Sequence, residues 1–219
     1  EELAAAAIER PASIAADLPT TIRELVSARL DGLPTEERTV LFDAAVVGKG
    51  VWRGALERIQ GNGILVSDVL DALEARDLIR HESRSWIERE DQFAFKHALI
   101  RDVAYATLPR ARRKELHAVV AGFLEQSTGG AGATATALAQ HWREAGDSER
   151  ALEYLLLAAD QAGRGWAKDE AAELYGEALG LCADPERRRE IVRKQALALA
   201  AFQHLGDVQA SLRTENRPA

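Results

Sequence analysis

Apolar positions along the chain fall mostly at helical spacing. In "LPTTIRELVSARLDGLP" (residues 18–34), Ile22, Leu25, Val26, Arg29 and Leu30 share one face. Thr20 or Thr21 can cap this helix, and Gly32 with Pro34 stops it. "TEERTVLFDAAVVG" (35–48) repeats the pattern, with Thr35 as the expected cap and Val40, Leu41, Ala44, Ala45 and Val47 as the apolar side. A shorter helix is expected from Val51 to Ile59. After the turn-like "GNG" at 61–63, "VSDVLDALEARDLI" reads as a helix with Ser67 as N-cap and Val69, Leu70, Leu73 and Leu78 on one stripe. Residues 1–17 form an alanine-rich, helix-like stretch broken at Pro11.

The period then changes. "LIRHE" (78–82) and "QFAFK" (92–96) flank the polar "SRSWIERED", a pattern that predicts a β-hairpin. Helices leading into a terminal hairpin suggest a winged-helix arrangement with the hairpin as its wing. Further helices are expected over Leu99–Leu108 and Arg112–Glu125. A Gly/Ala/Ser/Thr stretch at 127–136 then marks a domain boundary.

Everything beyond that boundary reads as helix. Leu138, Ala139, Trp142, Ala151, Leu155 and Ala158 fit a spacing of small and large residues that resembles the tetratricopeptide repeat. In that repeat, small residues let two antiparallel helices approach and large ones fill the groove between them. Ala171, Tyr175 and Ala178 give a second match, with Pro185 later than the repeat pattern prefers. "FQHLGDVQASL" echoes the turn in "EAGDSERAL" and is expected to start a third unit. An ordinary array of α-hairpins without repeat ancestry has the same architecture. The fold class is therefore mainly α: a winged-helix domain with a small hairpin wing, followed by an antiparallel α-hairpin array.

Composition sharpens this picture. The 219 residues are 47% hydrophobic and 29% charged with 5% aromatics, and Ala, Leu, Glu and Arg favour helix. A chain that starts at Glu1 and has no methionine is expected to be a piece of a longer polypeptide. Its single cysteine, Cys182, excludes a disulfide framework and fits a cytoplasmic location, and no apolar run is long enough for a bilayer. The net charge of −7 argues against a general nucleic-acid surface. The one basic cluster (Arg110, Arg112, Arg113, Lys114) is read as a solvated face or a contact with an acidic neighbour. The helix that would read DNA, about 66–77, carries Asp68, Asp71, Glu74 and Asp77 against Arg76 alone, so direct DNA binding is not expected.

No complete catalytic constellation emerges. "AAVVGKGV" (44–51) fails as a phosphate loop, because Asp43 stands at the required glycine and Gly50 at the required Ser or Thr. His81, His97, His117, His141 and His204 are too scattered for a metal site. The fragment is expected to have no catalytic residues, no metal ligands and no enzymatic activity.

One histidine sits at a chemically suggestive place. His97 lies where the second hairpin strand meets a helix, near unpaired backbone N–H groups that suit an anion, phosphate in particular. A histidine satisfied by a backbone carbonyl is the plainer alternative. The stretch Phe95-Lys96-His97-Ala98-Leu99-Ile100-Arg101-Asp102-Val103-Ala104 is similar to the winged-helix histidine motif of signal-transduction ATPases with numerous domains, the STAND class. Ala98 stands where that motif often has Asp. "LPTTIRELVSARLDGLPTEERTVLFDAAVVG" resembles the corresponding segment of bacterial members fused to class III nucleotide cyclase domains or LuxR-type regulators.

The resemblance covers most of residues 1–126 and implies a division of the chain. Residues 1–32 would be the remnant of a lid or helical domain, 33–126 the winged helix, and 127–219 the tetratricopeptide-like repeats. It implies that His97 contacts the β-phosphate of ADP in a full-length protein. ADP or ATP with Mg would be held by an N-terminal P-loop ATPase domain, which would be this fragment's own partner. The repeats would bind a protein or small-molecule effector, and the fragment itself would hold no cofactor. A pure protein-interaction scaffold without a nucleotide link is the alternative.

Overall fold

Helix α1 (Thr20–Asp31) opens a computed structural model that describes residues 20–215 apart from 62, 130–133 and 166, with side chains from 22 to 200. The helix expected over 1–17, and with it most of the lid remnant assigned to 1–32, lies outside the described residues. The elements that follow are α2 (Thr35–Val47), β1 (Gly50–Trp52), α3 (Arg53–Gln60), α4 (Val66–Ala75), β2 (Ile79–Glu82) and β3 (Gln92–Phe95). Then come α5 (Ala98–Thr107), α6 (Arg110–Thr128), α7 (Ala135–Ala145), α8 (Ser148–Arg164), α9 (Lys168–Leu181) and α10 (Pro185–Glu215). The chain is mainly helical with a small three-stranded antiparallel sheet. Among the described residues no helix is long and apolar enough to cross a membrane. The chain divides into two compact units, residues 1–130 with 144–146, and residues 131–143 with 147–219.

In the first unit α2 is the central helix, packed against α3, α4, α5 and α6. Its expected apolar side, Val40, Leu41, Ala44, Ala45 and Val47, is buried as the pattern requires. Glu36 and Glu37 stand in its first turn, where the positive dipole end favours acids. The expected cap at Thr35 is corrected. Pro34 takes the N-cap position, its carbonyl accepting from Arg38 N at 2.9 Å, and Thr35 is already helical. Ser67 likewise lies inside α4, whose N-cap is Leu65. On α1 Leu30 is buried, but Leu25 is 71% exposed, so the predicted face is only partly covered.

The helix expected from Val51 begins instead as a strand. Gly48, at φ +122°, ends α2, and Val51 and Trp52 then pair with β3 before α3 starts at Arg53. The sheet order is β1-β3-β2, with Val51 opposite Phe93 and Ile79 opposite Phe95. The hairpin of β2 and β3 forms where the alternating pattern put it. Its loop is fastened to the start of α3: Gly54 N donates to Glu90 Oε2 at 3.0 Å, and Arg53 N donates to Asp91 O at 3.0 Å. Ile87 is buried, and Trp86 meets Trp52 edge-on at 6.4 Å.

The second unit is built from α7 to α10. The turn at 145–147 is real: Gly146 has φ +80°, and Asp147 caps α8 by accepting from Arg150 N at 3.0 Å. Leu138, Ala139, Trp142, Ala151, Leu155 and Ala158 are all buried, as are Ala171, Tyr175 and Ala178. α9 packs against α8 on one side and α10 on the other. The expected third unit, opening at a turn near residue 206, is not formed, because α10 runs unbroken from Pro185 to Glu215.

Candidate functional site

The corner around His97 is assembled by two helix ends. α4 closes with Leu78 N donating to Leu73 O at 3.1 Å and Asp77 N donating to Glu74 O at 2.8 Å. This is the paired closure in which the residue after the C-cap turns left-handed. Asp77 occupies that place with φ +60°, a conformation usually left to glycine. Leu73 and Leu78 are both buried beneath it.

Lys96 N donates to Leu78 O at 3.0 Å, which carries the strand end alongside this turn. Lys96 Nζ in turn donates to Asp77 Oδ1 at 2.7 Å. That bond and the ammonium charge hold the Asp77 carboxyl below its usual range, with smaller contributions from His97 and Arg29.

His97 is the N-cap residue of α5, with φ −136° and ψ 133° and no side-chain capping bond. Its carbonyl accepts from Ile100 N at 3.0 Å, and the residue is exposed. His97 thus stands at the amide end of a ten-residue helix, one residue after the lysine that holds Asp77. Chemically the corner offers the first-turn amides of α5 and an imidazole to an anion. Asp102, in the same motif, pairs with Arg101 at 2.8 Å. It also lines a cleft of about 330 Å³ with Arg23, Glu24, Ser27, Val103, Ala106 and Thr107.

Two polar clusters in this unit escaped the sequence reading. Buried Asp43 accepts from Gln60 Nε2 at 2.6 Å and from Arg112 Nη2 at 3.3 Å. Burial raises the Asp43 pKa, and Arg112 and Gln60 oppose that rise. The basic run is therefore not simply a solvated face, since Arg112 neutralises a buried acid and Arg113 covers the Tyr105 ring at 4.9 Å. Tyr105 Oη and His117 Nε2 are joined by a 3.0 Å hydrogen bond, and burial lowers the His117 pKa to about 4. A lone histidine between apolar helix positions gave no sequence signal for that pairing.

In the second unit Tyr175 Oη donates to Asp160 Oδ1, and Lys194 Nζ donates to both carboxylate oxygens of Asp160 at 3.0 Å. These side chains tie α8, α9 and α10 together. Arg143 Nη1 reaches Glu177 Oε2 at 3.0 Å and links α7 to α9. Among the described residues no cluster of three or more His, Cys, Asp or Glu side chains is arranged to hold a metal ion. Comparison with family models and with curated proteins returns no match for this chain.

Proposed function

We propose that the chain is a regulatory and interaction fragment of a multidomain STAND-type ATPase signalling protein or transcriptional regulator. The first unit is a winged helix that senses nucleotide state through His97. The second is a tetratricopeptide-like module that binds a protein or small-molecule effector. The observation that carries the reading is the exposed His97 at the uncapped amide end of α5, inside "FKHALIRDVA". Support for the winged helix comes from the order α2-β1-α3-α4-β2-β3 with β3 central in the sheet. Support for the repeats comes from the burial of all six spaced positions of the first unit of the pattern.

His97 and the first-turn amides of α5 suit the terminal phosphate of a nucleoside diphosphate. Asp77, an acid at this corner, is engaged by Lys96. The metal and the rest of the nucleotide belong to the N-terminal ATPase domain, the partner of this surface. The switch is a two-state equilibrium: ADP bridges that domain to His97 in the resting form, and its loss frees the winged helix.

The test is release of fluorescent ADP from the full-length protein. A hydrogen bond to a charged phosphate is worth roughly 1.5–3 kcal/mol. His97→Ala should therefore speed release roughly 10- to 150-fold, and His97→Gln, which keeps a donor, should retain part of the effect. Unchanged release in a folded His97→Ala protein would leave the interaction scaffold as the surviving reading.

A further inference from the structure

Helices α1 and α5 pack against each other and leave between them a cleft of about 330 Å³. Small-molecule sites run from roughly 300 to 1,000 Å³, so this cleft suits a ligand of few atoms. The polar groups on its α5 side are already committed. Asp102 Oδ1 accepts from Arg101 Nε at 3.2 Å and from Arg101 Nη2 at 2.8 Å. Thr107 Oγ1 donates to Val103 O at 2.8 Å. Val103 and Ala106 make the rest of that side apolar.

The α1 side is the reverse. Arg23 is half-buried, its Nε is buried without a hydrogen-bond partner, and among the described residues its guanidinium has no ion pair. Glu24 is exposed and equally unpaired among the described residues. The two cannot satisfy each other, because adjacent residues diverge by about 100° around a helix. Ser27 stands four residues from Arg23 and three from Glu24, so it sits between them one turn further along. One cleft thus receives a guanidinium and a carboxylate that helical geometry keeps apart. A simple anion meets Arg23 and is repelled by Glu24, and a simple cation meets the converse difficulty. A ligand with both charges answers both groups through charge-assisted hydrogen bonds.

We propose that the α1–α5 cleft binds a free α-amino acid with a small apolar side chain. Its carboxylate pairs with the Arg23 guanidinium and accepts from the Ser27 hydroxyl, and its ammonium group donates to Glu24. Its side chain lies against Val103 and Ala106. The inference does not depend on nucleotide sensing at His97.

Calorimetric titration of the chain with L-valine tests it, beside isovalerate and isobutylamine, which are valine without its ammonium group and without its carboxylate. L-valine is expected to bind at millimolar concentration, and each single-charge analogue roughly tenfold or more weakly, the loss of one charge-assisted bond. Arg23→Gln should weaken L-valine by a similar factor. Glu24→Gln, at an exposed position, should erase the preference for L-valine over isovalerate, with the melting temperature of both variants unchanged. A folded chain that does not bind L-valine overturns the site. Isovalerate binding as tightly as L-valine to the unmodified chain overturns the zwitterion. L-valine binding that survives Arg23→Gln unchanged lies elsewhere and overturns the proposal too.

Discussion

Asp77 carries two demands in one side chain: it must turn left-handed to close α4, and its carboxylate must meet Lys96. Glycine serves the first demand and not the second. Asp77→Gly is therefore expected to keep the melting temperature and free Lys96, whereas Asp77→Ala lowers it, since a β-carbon without a local hydrogen-bonding group is disfavoured there. His117 makes a pH prediction of definite sign. Its folded pKa of about 4 lies below the ordinary 6.5, so the unfolded chain binds the proton first as pH falls. Its contribution is fully present above about pH 6.5 and is lost as pH falls to 4, at most about 3 kcal/mol. An NMR titration of the His117 ring should show the low midpoint, and His117→Gln should flatten that part of the stability profile. Tyr105 is hydrogen-bonded to the ring, and the Arg113 charge adds to the lowering that burial causes.

The tight pairing of α8 with α9 places small residues where bulk is not tolerated. Ala171 of α9 is fully buried in that core, so Ala171→Leu is expected to overpack the site and destabilise by about 1–3 kcal/mol in chemical denaturation. The helices were legible in the sequence because long periodic stretches bury one stripe each, and the α2, α4 and α8 stripes are covered as the spacing indicates. Strand β1 was not legible. Three residues cannot display a period, and what makes them a strand is the distant Phe93 rather than their neighbours. The caps misread at Thr35 and Ser67 have a similar cause: any Ser or Thr near a helix start satisfies the rule, and only tertiary packing chooses the boundary. At the candidate site the position of His97 could be read from the strand-to-helix change. Its neighbours could not, because Asp77 reaches Lys96 only through the Schellman-type turn that ends α4.

Taken whole, the chain holds two units, each with its own buried core. Residues 18–130 and 131–219, produced separately, should each melt cooperatively by circular dichroism. A fragment without a sigmoidal transition would show that its core depends on the other half. The acidic exposed face of α4, with Asp68, Asp71 and Glu74, gives the first unit a surface that phosphate backbones repel.

The bond from Gly54 N to Glu90 has a consequence for the hairpin loop as a protease target. With Glu90 and Asp91 both fastened at the start of α3, the loop is a ring closed at its base, and Arg84 and Arg89 lie within it. Trypsin must open that ring before it can accommodate either arginine, so cleavage there is expected to be slow. A β-carbon at residue 54 would come within 2.6 Å of Glu90 Oε1, so Gly54→Ala evicts the carboxylate. Faster nicking at those two arginines, with the rest of the digest unchanged, is the expected signature. A loop spent in this way on its own scaffold is guarded against degradation and withheld from grasping anything else.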